Sequence, residues 1–230
     1  MSRLIKIVFL AATLFFVNNT FAQYDEEENE FRQYTSWGVS FGPNITNYTL
    51  KMDSGQEVPD RVSPSIGAEA GIQLDYHITE LWGIELSTSA NIEHIVLHKD
   101  DIEPHLLTFG LDIAVLATTW RTNPMSGLQL GIGPYSHFVI ANIMTGTSAM
   151  ANPYSRVVGI NPRTNEPTFA LGNFNAGLEI AAALNFDPQW AVRLEVKYGI
   201  TDLLTTDIQR TYVRPLKVTL MANYKFNTRP

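Results

Sequence analysis

Trp190-Ala191-Val192-Arg193-Leu194-Glu195-Val196-Lys197-Tyr198-Gly199-Ile200 decides the fold. Trp190, Val192, Leu194, Val196, Tyr198 and Ile200 fall on every second position, and Arg193, Glu195 and Lys197 fall between them. Successive side chains of a strand point to opposite faces. The stretch is therefore a strand with one apolar face and one face of mixed charge. Its 11 residues match the 9–11 residues that a tilted membrane-crossing strand needs.

The same period recurs along the chain. Residues 37–42, 66–76, 82–92, 107–117, 128–133, 174–186 and 216–226 alternate in the same way, which with 190–200 predicts eight strands. Helical periodicity is missing, and past the first 22 residues no window is apolar for the 18 residues of a spanning helix. The connections alternate in length: long at 43–65, short at 77–81, long at 94–104, short around Asn123-Pro124, longest at 141–168, short at 185–189, and long at 201–214. Long loops outside the cell and short turns in the periplasm are the rhythm of an outer-membrane barrel.

A soluble lipocalin-type barrel also alternates, with its apolar face inward. Three features favour an apolar face turned outward to lipid. Trp37, Trp82, Trp120 and Trp190, with Tyr76, Phe186, Tyr224 and Phe226, lie at the short-turn end of the apolar faces, as a membrane interface selects. Strand glycines fall on the polar face, where an eight-stranded interior leaves little room. The polar faces carry both signs, Glu69, Glu85 and Glu179 with Arg193, Lys197 and Lys217. Glu69, Asp75, Glu85, Asp112, Glu179, Arg193, Glu195 and Lys197 read as one internal ion-pair and hydrogen-bond network that satisfies buried charge.

Composition sets the outer limits. Of 230 residues, 45% are apolar and 17% charged, which excludes wholesale disorder. The net charge of −7 excludes a basic nucleic-acid footprint, and the absence of cysteine excludes disulfides, thiol catalysis and Cys-zinc sites. Arg3 and Lys6, the apolar run 7–17 and Thr20-Phe21-Ala22 form a secretory signal over residues 1–22, cut after Ala22. The remaining 14 Lys and Arg against 23 Asp and Glu leave the mature chain at −9. Residues 23–34, with the run Asp25-Glu26-Glu27-Glu28-Asn29-Glu30, read as an acidic disordered leader ahead of a barrel over 35–228.

Gly131-Ile132-Gly133-Pro134-Tyr135, the strand at 173–179, the run from Arg193 through Tyr198-Gly199-Ile200-Thr201-Asp202, and Tyr224-Lys225-Phe226 resemble the PorT-like outer-membrane β-barrel family. The resemblance spans nearly all of 35–228. It implies a barrel exported to a Gram-negative outer membrane, with an aromatic strand end read by the barrel-assembly machinery. One namesake member takes part in type IX protein secretion, while most have no assigned activity. The long, individual segment at 141–168 departs from the family, so the secretion role does not transfer with membership.

Motifs for chemistry are weak. Gly38-Val39-Ser40-Phe41-Gly42 has the nucleophile-elbow pattern, but the alternation runs through it where a sharp turn and a helix are needed. Ser136 and His137 are neighbours on a strand and point apart unless a bulge intervenes. His94, His98, Asp100, Asp101 and His105 could supply metal ligands, yet they sit at a strand end and loop, where solvated polar residues are commonplace. The expectation is an all-β, eight-stranded antiparallel up-and-down transmembrane barrel, without catalytic residues, metal or cofactor. It would display extracellular loops for binding or support the envelope or secretion, with outer-membrane lipid, the assembly machinery and envelope components as partners. A lipid-modifying outer-membrane enzyme and an accessory subunit of a type IX-like secretion machine are the alternatives.

Overall fold

Period-2 stretches this long cannot satisfy their backbone groups singly, and a closed sheet pairs every edge. The structure, a computed structural model, describes residues 34–52, 63–79, 81–96, 105–119, 127–145, 156–157, 170–171, 173–186, 189–201 and 211–226. In chain order the strands are β1 (Tyr34–Met52), β2 (Ser65–His77), β3 (Trp82–Val96), β4 (His105–Thr119), β5 (Gly127–Thr145), β6 (Arg156–Val157), β7 (Ala170–Leu171), β8 (Phe174–Asn185), β9 (Trp190–Gly199) and β10 (Thr211–Phe226). Eight of them close an antiparallel barrel in the order β1-β10-β9-β8-β5-β4-β3-β2, and β6 pairs β7 as a separate small hairpin. The connections β2–β3, β4–β5 and β8–β9 are the short ones, and they share one end of the barrel with the start of β1 and the end of β10.

The faces fall as the alternation requires. Along β9, Ala191, Arg193, Glu195, Lys197 and Gly199 are buried, while Trp190, Val192, Leu194 and Tyr198 are exposed. Ile66, Ile72, Ile84, Leu86, Ile132, Ile180, Val218 and Leu220 are exposed on other strands. This inside-out distribution is that of a barrel solvated by lipid.

Two strands run well past their predicted ends. β1 continues to Met52 where 43–52 reads as loop, and β5 continues from Pro134 to Thr145. A proline removes a ladder donor, and here each proline deprives only one side. Pro43 still pairs Ala68 of β2, while β1–β10 pairing lapses between Phe41↔Ala222 and Asn44↔Thr219. Pro134 still pairs Leu178 of β8, while β4–β5 pairing lapses between Ala114↔Tyr135 and Ala117↔Ile132. The glycine before each proline makes the lapse compact: a Cβ on Gly42 would lie 1.9 Å from the Leu220 carbonyl oxygen, and one on Gly133 1.9 Å from that of Val115. The connections predicted at 43–65, 94–104 and 201–214 shrink to 53–64, 97–104 and 200–210, while the one predicted at 141–168 moves to 146–173 without changing length.

Candidate functional site

The barrel encloses a stack of buried polar side chains. Nearest the long-loop end, the Tyr48 hydroxyl donates to Glu93 at 2.9 Å and Thr46 donates to Glu93 at 3.2 Å. His137 Nδ1 lies 2.6 Å from Asp112 Oδ1. The Tyr135 hydroxyl donates to Asn175 at 2.8 Å. Lys217 Nζ joins three carboxylates, 2.8 Å from Asp112, 3.3 Å from Glu69 and 3.3 Å from Glu93.

Midway, Lys197 Nζ lies 2.6 Å from Glu69, 3.1 Å from Asp112 and 3.1 Å from Glu195. The Ser89 hydroxyl donates to Glu69 as well. The Arg193 guanidinium takes both oxygens of Glu85 at 2.6 Å, Glu195 at 2.6 Å through Nε, and Glu179 at 3.4 Å. Toward the short-turn end, Lys225 Nζ sits 3.7 Å from Asp75 and donates to Gln129 at 3.3 Å. Asn223 donates to Gln73, which donates to Asp75.

All eight residues predicted for the network are buried and joined to it. Lys217 and Lys225 stand on the predicted polar faces yet lie outside the candidate set, although Lys217 holds three of its members. Glu93, Tyr135 and His137 were missed because they lie just past the predicted ends of strands 82–92 and 128–133. The continuing alternation, Asn91-Glu93 and Gly133-Tyr135-His137, was the signal that could have placed them. The space left in the stack is small. One cavity of about 10 Å³ lies between Ser89, Asp112 and Lys197, and one of about 20 Å³ between Tyr48, Glu93 and His137. Each has room for about one water.

The other candidates separate. Ser40 lies within β1 between partners Asn223 and Gly71, with no turn after it. Ser136 and His137 point to opposite faces of β5, and the register shift in β4–β5 pairing lies further on, at Phe109/Gly110. His94 and His105 meet on the outer side of the β3–β4 end, Nε2 to Nδ1 at 3.2 Å. His98, Asp100 and Asp101 lie outside the described residues. Among the described residues no group of three or more metal-ligating side chains forms.

Seven of the eight predicted girdle aromatics lie at the short-turn end, and Trp120 lies outside the described residues. Trp37 stacks on Phe226 at 4.1 Å, and Tyr224 meets Phe226 and Trp190 edge-on at 4.9 Å. Tyr76, Trp82 and Phe186 project outward, 41%, 58% and 59% exposed. The predicted signal and acidic leader also fall outside the described residues.

Among solved structures, the chain is similar to the attachment invasion locus protein Ail of Yersinia pestis in complex with a heparin analogue, at 14% identity and TM-score 0.45 over 84% of this chain and 99% of that one. It is also similar to OprG of Pseudomonas aeruginosa, at 12% identity and TM-score 0.47 over 84% and 97%. It is similar as well to Neisserial surface protein A, at 11% identity and TM-score 0.42 over 82% of this chain and 97% of that one. No curated protein matches the chain. The family described as "Outer membrane protein beta-barrel domain" matches residues 21–205, and this chain, a closed eight-stranded barrel, belongs to that family.

Proposed function

We propose that the chain is a non-enzymatic outer-membrane barrel that works through the connections at its long-loop end, binding at the cell surface or supporting the envelope. The filled lumen carries this reading. With Arg193, Lys197 and Lys217 each tied to two or more carboxylates and cavities of about 10 and 20 Å³, the described interior offers neither an aqueous channel nor a substrate cleft. Loops set on a rigid scaffold are the usual place for binding, and the connection at 146–173 is long enough to be functional. The outward aromatics at the short-turn end serve as the periplasmic-side girdle against lipid. In this reading residues 1–22 are the cleaved export signal, and Tyr224-Lys225-Phe226 is the end read during assembly. The resemblance to the PorT-like family fits a setting in the bacterial envelope.

Replacing residues 147–171 with a short Gly/Ser linker tests the reading. The change removes β6 and β7 together and adds little closure cost. Membrane insertion and heat-modifiable gel migration should persist, and complementation of a deletion strain, scored by proteomics of its secreted and envelope proteins, should fail. Full complementation by the shortened barrel, with loss on mutating Arg193 or Glu179, would move function into the lumen. Acyl release from lipopolysaccharide by the purified barrel would point to the enzyme alternative.

A further inference from the structure

The lumen is short of positive charge. Among the described residues its wall buries seven carboxylates, the six of the predicted network and Glu93, against four cations, Arg193, Lys197, Lys217 and Lys225, all at most 6% exposed. The balance is −3 with His77 and His137 neutral, and still −1 with both charged. A buried ion without a partner takes up a proton or a counter-ion before it remains bare.

The shortage shows most clearly at Asp75 and Glu179. The register sets Asp75 directly opposite Glu85 on β2 and β3, a like-charge pairing that destabilises a sheet. Arg193 neutralises Glu85, but the cation nearest Asp75 is Lys225 at 3.7 Å. Glu179, 0% exposed, holds its cations loosely, Arg193 at 3.4 Å and Lys197 at 4.0 Å. Asp75 Oδ1 and Glu179 Oε2 accept no hydrogen bond from the described residues. A neutral side chain repeats the pattern: Asn223, 0% exposed, gives its amide to the Gln73 that binds Asp75, and its own oxygen accepts nothing. Acceptor oxygens without donors, set in a wall of surplus negative charge, are ligands for a small positive species. The charged and titratable groups facing them are Glu195, Lys197 and Arg193 on β9, Lys225 on β10, Asp112 on β4 and His77 on β2, while β1 and the near half of β5 present neutral side chains.

We propose that the buried carboxylates around Asp75, Glu85 and Glu179 hold a bound proton. The site would let the barrel interior exchange a proton with the surrounding solution while remaining closed to larger solutes.

Infrared spectroscopy of the full-length barrel in vesicles tests this on the wild type. A carbonyl band of buried carboxylic acid at neutral pH, unchanged between sodium, potassium and choline chloride, identifies the proton. Glu179→Gln, which mimics the neutral carboxyl, should fold with a midpoint no lower than wild type and should reduce the band. If that variant does not fold, Asp75→Asn serves in its place. The absence of a carboxylic-acid band from the wild type, or a band undiminished in the variant, would overturn the proposal.

Discussion

Arg193→Met removes the cation on which the middle of the lumen converges. The guanidinium is 2% exposed and meets Glu85 and Glu195 at 2.6 Å and Glu179 at 3.4 Å. Methionine nearly fills the volume, so the change tests charge more than packing. Two effects compete. Replacing a whole buried ion pair by apolar groups is often neutral or stabilising, whereas removing one partner typically costs about 3–5 kcal/mol because the other charge is left bare. Here three carboxylates lose one shared partner and none is replaced, so the second effect wins and the loss should reach about 3–5 kcal/mol. Adding Glu85→Gln removes one of the stranded charges. The pair should couple by about 0.5–3 kcal/mol, making the double variant more stable than the sum of the singles. Equilibrium unfolding in lipid vesicles, followed by tryptophan fluorescence, gives midpoint and slope together, so a change in stability can be told from a change in compactness. A loss under about 1 kcal/mol for Arg193→Met, or strict additivity with Glu85→Gln, would refute a lumen held together by shared charge.

Leu194 is exposed on the outer face in the middle of β9, between Trp190 and Tyr198, and on the lipid-facing assignment Leu194→Arg should cost about 2–4 kcal/mol. Glu195→Gln beside it should cost less, and equal midpoints for Leu194→Arg and wild type would contradict the lipid-facing assignment. Gly133→Ala sets a Cβ 1.9 Å from the Val115 carbonyl oxygen, while Gly131→Ala meets the side chains of Leu116 at 3.2 Å and Thr118 at 3.4 Å. The first meets backbone and should lose about 1–3 kcal/mol, and the second, which meets side-chain atoms alone, clearly less, measured by the same unfolding curves. Mass spectrometry of the membrane-extracted protein should find Gln23, or its cyclised form, at the mature N-terminus, and intact residues 1–22 would speak against the signal reading.

The strand set was legible because alternation is a local property. Trp190 to Ile200 displays both faces within a single strand, and no distant contact is needed to see them. Strand ends were less legible. Pro43 and Pro134 look like stops, since a proline in a central strand withdraws a hydrogen bond. The pairing partner decides otherwise: each proline keeps one ladder intact and loses only two positions on the other. A sequence shows the missing donor but not which neighbour would have received it. The stretches beyond both prolines, with Tyr48 on β1 and Tyr135 on β5, therefore fall outside the predicted strand spans, and with them the contacts these two hydroxyls make in the lumen.

The network shows the same boundary from the other side. Alternation tells which residues point inward, and that sufficed to place all eight predicted charges in the lumen. It does not tell which of them touch, because the touching pairs are made by barrel closure. Arg193 meets Glu85 across 108 positions of sequence and Lys197 meets Glu69 across 128. Lys217 was on view as one more inward lysine, yet its position on β10, which closes the barrel against β1, brings it within 3.3 Å of carboxylates from β2, β3 and β4 at once. The charge deficit follows from this distinction. Counting inward charges needs only the alternation, but finding that Asp75 and Glu179 are the two left with distant cations needs the register of β2 on β3 and of β8 on β9. A one-residue slip in either pairing would turn a whole strand's charges into lipid, so the same interactions that balance the lumen also fix the register that creates it.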